Sequence, residues 1–416
     1  MPRLTALIAS VAAAATLARA QAPSPSAPPV SLPAPTGSLP IGTTSWQVSD
    51  SSRRESFASD RTARDVEVVA WYPAGSMATE PAPYLRWGLF EVQGFADLLG
   101  AGRNGYDHLN GVRTHAMLDA VPAAGDTRFP VIVFSAGYGG FASAHTSLFE
   151  DLASHGYAVL NIVHPYEVGA AKLRDGRLVS FLDYAGKPRQ PYRDVVGEWG
   201  DEDAIMAAVT KATNDDERRR LLREYFAATP RTAAALVRWV DDTKFVLDQL
   251  AAVPRDGASG RLVSRLDLAR IGVGGHSMGG VAAGQFCVQD ARCRAGLNLD
   301  GIPQFGQMID RGLEHPFLMV YSSRPGRLGA SDVIYRRAKP YYRVDVANTG
   351  HLDFSDMILW GGPLRERNAF GALAPERVTA ITRAIVLQYF DQVLLDRPST
   401  LLEGKASFPE VTVTRP

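Results

Sequence analysis

The chain has 416 residues, with 44 Lys and Arg against 44 Asp and Glu, eight His and two Cys. A formal charge of zero offers nothing to a nucleic acid or another polyanion. A hydrophobic fraction of 46% with 21% charged residues is that of a folded globule, not of a disordered chain. Two cysteines exclude a disulfide-held miniprotein and a four-thiolate zinc site.

Residues 1–20 read as a secretion signal: Arg3 supplies a positive start, Leu4 to Leu17 an alanine-rich apolar run, and Ala18-Arg19-Ala20 a small-x-small cleavage site. Residues 21–40, rich in Pro, Ser and Ala, abandon helix chemistry and predict an extended linker. The pattern predicts a secreted or periplasmic protein. Beyond this leader no stretch reaches the roughly 18 apolar residues needed to cross a bilayer, so the mature chain is expected to lack an integral membrane segment.

From about residue 60 short β-rich runs alternate with helical stretches. Asp65 to Tyr72 alternates and ends at Pro73, predicting a half-buried strand. Pro130 to Ser135 is continuously apolar and runs into glycines, as a parallel strand covered on both faces does. A helix from Ser147 to His155, closed by Gly156, and a buried strand from Tyr157 to Val163 follow. Leu236, Trp239, Val240, Val246, Leu247 and Leu250 recur on one helical face. Further strands are expected at Ala269–Val273, Ala295–Leu299, Pro316–Tyr321 and Tyr341–Ala347, with a last amphipathic helix at Pro375–Leu395. This alternation predicts an α/β fold with a mostly parallel central sheet and helices on both faces. Residues 166–230, with a charged helix expected at Asp203–Phe226, interrupt the rhythm and read as an insertion or cap within one domain spanning 41–416.

The chemistry concentrates at Gly275-His276-Ser277-Met278-Gly279-Gly280, which follows the strand ARIGVG and precedes an apolar helix. This is G-x-S-x-G in strand–turn–helix context, the nucleophile elbow of the α/β-hydrolase fold. Its glycines allow a tight turn that lifts the Ser277 hydroxyl above the sheet, with the Met278 N–H aimed at a developing oxyanion. A hydroxyl needs a base and an orienting acid. Of the two histidines after Ser277, His315 precedes Pro316 at the entrance to a strand, the wrong end of the sheet. His351 stands in a loop past the end of YYRVDVANTG, where a base can reach the elbow. His276 reads as a packing residue.

Two acids compete for the third role. Asp300 is attached directly to the end of strand Ala295–Leu299, whereas Asp332 hangs in the polar Gly329-Ala330-Ser331-Asp332 loop beyond the next strand, where many hydrolases of this fold carry their acid. Rigid attachment favours Asp300, and Asp332 reads as a surface or capping residue. The second oxyanion donor is expected in Ser135-Ala136-Gly137-Tyr138-Gly139-Gly140-Phe141, most naturally the Tyr138 N–H. Cys287 and Cys293, six positions apart, either close a small disulfide loop in an oxidising compartment or remain two buried thiols.

The blocks FPVIVFSAGYGGF, DLASHGYAVLNIVHP, RIGVGGHSMGG, LNLDG and GHLDFSD together resemble the platelet-activating factor acetylhydrolase family of α/β-hydrolase serine esterases, and the related bacterial dienelactone-hydrolase-like proteins, over roughly residues 60–395. The resemblance implies Ser277 as nucleophile in a G-H-S-x-G-G elbow, Asp300 as the acid ending an L-D strand, and His351 as the base before an x-x-F-x-D pattern. It implies hydrolysis of short acyl esters, including sn-2 acyl groups of phospholipids, through an acyl-enzyme on a small-molecule or lipid substrate. Two departures are evident: Ala136-Gly137 stands where the family has His-Gly, and residues 166–230 lack a clear counterpart. The alternatives are a cutinase- or polyester-hydrolase-like esterase, which shares the G-H-S-M-G-G elbow, and a non-catalytic envelope-binding protein. No H-E-x-x-H metal motif or nucleotide loop occurs, so neither metal nor cofactor is expected.

Overall fold

The computed structural model describes residues 30–58, 62–75, 80–366, 369–404 and 408–415. The secretion-signal expectation for 1–20 therefore lies outside the described residues. Thirteen strands occur among them: β1 (Ile41–Arg54), β2 (Ala63–Pro73), β3 (Pro81–Pro83), β4 (Arg113–Leu118), β5 (Phe129–Ser135), β6 (Ala158–Val163), β7 (Ala171–Lys172), β8 (Leu178–Val179), β9 (Leu266–His276), β10 (Cys293–Leu299), β11 (Phe317–Tyr321), β12 (Tyr341–Val346) and β13 (Val411–Thr414). Eleven of them form one sheet in the order β13-β12-β11-β10-β9-β5-β6-β2-β1-β4-β3. The central block from β12 to β6 is parallel, and β2 joins β6 antiparallel.

Side-chain alternation along the central strands splits the core into two layers. In β5, Val131 and Val133 pack toward one face while Ile132 and Phe134 pack toward the other. Helices Pro230–Gln249 and Met278–Gln289 cover the first face, and Thr146–Ser154 and Pro375–Leu395 cover the second. Each aliphatic side chain removed from water in this way contributes about 1.5–3 kcal/mol. The helix Pro375–Leu395 is apolar and long enough to span a bilayer, but Val378, Ile381, Ile385, Tyr389 and Phe390 are buried in the second layer.

Three expectations are corrected by packing. β2 is buried on both faces, not half-buried, because β1 and β6 flank it and Val66, Val68 and Ala70 reach one layer while Val69 and Trp71 reach the other. The charged helix expected at Asp203–Phe226 is two helices, Glu202–Lys211 and Asp215–Ala228. The first ends at Lys211, and Asn214 caps the second by accepting the Glu217 N–H at 2.9 Å. The described part of the linker is not a free spacer. Leu32 is buried, Arg383 donates to the Pro33 and Ala34 carbonyls at 2.9 and 2.8 Å, and the Thr36 N–H donates to Asp151 at 2.7 Å.

Residues 166–230 leave the sheet after β6 and return at helix Pro230–Gln249. They build the β7–β8 hairpin, helix Gln190–Gly197 and the two charged helices. Cys287, in the helix behind the elbow, is bridged to Cys293 at the start of β10, with a Cα–Cα distance of 5.1 Å.

Candidate active site

Five chain segments meet at the C-terminal edge of the parallel strands: Ser135 ends β5, Ser277 follows β9, Asp300 follows β10, Ser322 follows β11, and His351 stands beyond β12. Parallel strands present all their C-termini on one edge, so residues far apart in sequence converge there.

Ser277 sits at φ 55° and ψ −126°, a left-handed conformation that a side chain-bearing residue adopts only under constraint. The constraint is visible in the neighbours. The Ser277 N–H donates to Leu299 O at 2.9 Å, and the N–H groups of Gly280 and Val281 both return to Ser277 O, so the turn is fixed to β10 on one side and to its helix on the other. Glycine is required at Gly279, where a Cβ would lie 2.0 Å from Ser135 O, and at Gly301, where it would lie 2.1 Å from Ser277 O. A Cβ at Gly137 would stand 3.0 Å from the Ser277 Cβ, so the loop after β5 passes directly over the serine.

Asp300 also has a positive φ, 54°, and its N–H is held by Val320 O at 2.8 Å. Its buried carboxylate is densely ligated. Oδ1 accepts the Ser322 N–H at 2.8 Å, and Oδ2 accepts the Ser322 hydroxyl at 2.9 Å and faces His351 Nδ1 at 2.8 Å. Arg324 Nη2 lies 2.8 Å from the same Oδ2. Burial pushes the Asp300 carboxyl up, but Arg324 and His351 outweigh it and hold it below the ordinary carboxylate range. His351 is pushed below its ordinary value by burial, then by the Arg324 charge, against the pull of Asp300. A neutral imidazole that donates from Nδ1 to a carboxylate leaves Nε2 with its lone pair.

His276 is more than the packing residue expected. Its Nε2 lies 2.8 Å from the His351 carbonyl, and the two rings are 4.6 Å apart. Burial keeps His276 well below its ordinary pKa, so it is neutral and donates that proton to the carbonyl, fixing the His351 main chain. Asp353 completes the turn by accepting the Gly350 and Gly371 N–H groups.

Asp332 is corrected from a surface loop residue to a buried one. It begins a short helix, accepts the Tyr341 hydroxyl at 2.7 Å and pairs with Arg343 at 3.1 Å, and among the described residues it makes no contact with a histidine. His315 precedes β11 at the opposite sheet edge. The Tyr138 ring is stacked on Tyr192 at 5.2 Å and set edge-on to Trp199 at 5.8 Å, so the loop after β5 carries an aromatic wall supplied by the cap.

Sequence reasoning missed a second Ser–His–Asp relay. His164 Nδ1 donates to Asp242 at 2.8 Å and its Nε2 faces the Ser135 hydroxyl at 3.1 Å. All three side chains are buried. Asp242 also binds Arg64 at 2.7 Å, and Arg64 reaches Glu55 and Glu167. The buried relay ties the end of β5 to the residue after β6 and to helix Pro230–Gln249. Arg324 and Ser322 were missed too: nothing local distinguishes them, and only the β11 register brings them to Asp300.

The comparisons with known proteins agree with this architecture. Residues 25–174 match the family model described as platelet-activating factor acetylhydrolase, isoform II. The chain is 27% identical over 302 residues to the platelet-activating factor acetylhydrolase of Cavia porcellus, covering 69% of this chain and 64% of that protein. It is 26% identical over 306 residues to a probable 1-alkyl-2-acetylglycerophosphocholine esterase of Arthroderma benhamiae, covering 68% and 65%. The match thus spans just under two thirds of the length of these relatives. Among solved structures, the ferulic acid esterase of Streptomyces cinnamoneus superposes with a TM-score of 0.69 at 27% identity, covering 93% of this chain and 100% of that one. The chain is thus similar in sequence to platelet-activating factor acetylhydrolases and is built on the α/β-hydrolase fold.

Proposed function

We propose that this chain is an exported serine carboxylic-ester hydrolase in which Ser277 is the nucleophile, His351 the general base and Asp300 the acid that orients it. The observation that carries the reading is the 2.8 Å His351–Asp300 pair, standing on the same sheet edge as the strained Ser277 turn. The Ser277 hydroxyl oxygen bonds to the ester carbonyl carbon while its proton passes to His351 Nε2. The tetrahedral intermediate then expels the alcohol, which takes that proton. Water repeats the sequence, with His351 accepting its proton, and releases the acid and free Ser277. The Met278 and Tyr138 N–H groups receive the oxyanion. Among the described residues neither N–H is paired with a protein acceptor, and the Gly137 approach to Ser277 brings their two loops together.

The substrate class follows from the relatives. Those named as acetylhydrolase or 1-alkyl-2-acetylglycerophosphocholine esterase support a short acyl ester, including the sn-2 acyl group of a phospholipid. A second reading, an ester of an aromatic acid, is favoured by the ferulic acid esterase neighbour and by the Tyr138–Tyr192–Trp199 wall beside the proposed oxyanion donor. Export is supported by the leader-like residues 1–20 and the Cys287–Cys293 bridge. Rates of acid release from a short-acyl phospholipid and from a methyl hydroxycinnamate separate the substrates. The reading expects turnover of the phospholipid ester and its loss in Ser277→Ala. Turnover of the hydroxycinnamate alone would select the second class, and turnover of neither would count against both.

A further inference from the structure

The loop after β11, residues 322–331, sends two arginines to different partners. Arg324 reaches down to Asp300, with Nη2 2.8 Å from Oδ2 and 3.4 Å from the main-chain oxygen. Arg327 reaches up to the cap, bonding Glu202 at 2.5 Å and Asp203 at the start of helix Glu202–Lys211. Arg324 is mostly sheltered, and among the described residues its guanidinium bonds to nothing but Asp300. The carboxylate oxygen that faces His351 is therefore shared with a permanent cation.

We propose that Arg324 is a positioning residue for the triad: its guanidinium, 2.8 Å from the Asp300 oxygen that faces His351, holds that carboxylate in place against the imidazole. This rests on the reading of His351 as base.

The charges that face His351 fix how the loss of Arg324 shows in a pH profile. Asp300, from the end of β10, favours the imidazolium. Arg324 and, farther off, Arg327 disfavour it, with Arg327 partly offset by Glu202 and Asp203 of the cap. The elbow contributes His276, which is neutral, with buried His145 behind it pushed down to about 3. The Asp353 carboxylate lies in the same turn, bonded to Gly350 and Gly371. Arg324 is thus the strongest charged opponent of His351 protonation. Deleting its charge raises the pH at which His351 loses its proton, both directly and by leaving Asp300 unopposed.

The test is the pH dependence of kcat/KM on an aryl acetate, measured beside the pH dependence of organophosphate labelling of Ser277. Arg324→Gln and Arg324→Met remove the charge in two shapes, and Arg324→Lys restores it. The acid limb of both profiles is expected to move up by roughly half to one pH unit in the neutral variants and to return toward wild type in Arg324→Lys. Ser322→Ala, which removes a neutral donor from the same carboxylate, should lower the plateau without moving the limb. An acid limb that stays in place in a folded neutral variant would overturn the proposal whatever happens to the plateau. So would a lysine variant that behaves like glutamine, or failure of all three Arg324 variants to fold. Failure of the underlying reading looks different: Ser277 would not be labelled in the wild type.

Discussion

His351 Nδ1 meets Asp300 Oδ2 at 2.8 Å across a sequence separation of 51 residues, and it does so because β10, β11 and β12 are parallel neighbours. The order along the sheet sets the division of labour. β10 is followed by the carboxylate, β12 by the imidazole, and the loop after the strand between them brings Ser322 and Arg324 to the carboxylate.

The two competing acids are separated by one pair of variants. Asp300→Asn removes the anion from His351 and inverts the hydrogen bond that selects its tautomer. We expect a folded protein with kcat lowered by about 10⁴-fold. Asp332→Asn removes an acceptor shared by buried Tyr341 and Arg343, and should cost about 1–3 kcal/mol of stability while leaving kcat within a few-fold. Steady-state kinetics with urea titration reads both. Inactivation by Asp332→Asn without destabilisation would assign the acid to the β11 loop.

The buried relay gives a prediction of the opposite kind. Asp242 is the shared partner of Arg64, Arg53 and His164, and its side chain has no exposure. Asp242→Asn leaves the buried Arg64 guanidinium short of a counter-charge, at an expected cost of about 3–5 kcal/mol. Ser135→Ala, in contrast, should keep organophosphate labelling at wild-type stoichiometry. Loss of labelling there would mean that the serine at the end of β5 is the reactive one.

Buried carboxyls and buried histidines pull the pH dependence of stability in opposite directions: His145, His164, His276 and His351, held below their ordinary pKa, favour folding as the pH rises, whereas Glu91 opposes it. Burial raises Glu91 to about 7, although the Trp87 N–H and the Ser143 hydroxyl both donate to it. A folded pKa above the ordinary value of 4.5 means that the native state favours the protonated form. Its stabilising share is present in full below that value and is lost as the pH rises through about 7. Glu67 and Asp356, also buried and raised to about 7, act in the same direction. In Glu91→Gln the change in unfolding free energy from pH 5 to pH 8 should be more positive than in the wild type, by on the order of 1–3 kcal/mol. An unchanged slope in denaturant titrations at the two pH values would contradict this.

The Cys287–Cys293 bridge ties the helix behind Ser277 to the strand that ends at Asp300. A loop this short is worth roughly 2–3 kcal/mol in chain entropy. Reduction should lower the melting temperature before it affects activity at room temperature. Thiol titration of the denatured, unreduced protein should find no free thiol, and two per chain would refute the tie.

Much of this site was legible in the sequence because its signals are local. The G-x-S-x-G turn needs its glycines at fixed offsets, Asp300 abuts an apolar run, and His351 follows the last parallel strand. What escaped was set by register. Ser322 and Arg324 look like any polar loop, and their role exists only because β11 lies between β10 and β12. His276 looked like packing because its bond goes to a carbonyl that the fold delivers from 75 residues away. Asp332 misled for the reverse reason: a Gly-Ser setting reads as surface, yet Tyr321, Tyr341 and Arg343 close over it. The break between the cap helices was readable, since Asn214 and Glu217 stand at capping-box spacing and the Glu217 N–H bonds back to Asn214.

The most direct test of the account is covalent. The protein is treated with a fluorophosphonate, digested and analysed by mass spectrometry, with ester hydrolysis followed in parallel in Ser277→Ala. The account predicts one adduct per chain on Ser277, activity lost in step with labelling, and a fall in kcat of the order of 10⁴- to 10⁶-fold in the variant. An adduct on another residue, or undiminished hydrolysis in Ser277→Ala, would contradict it.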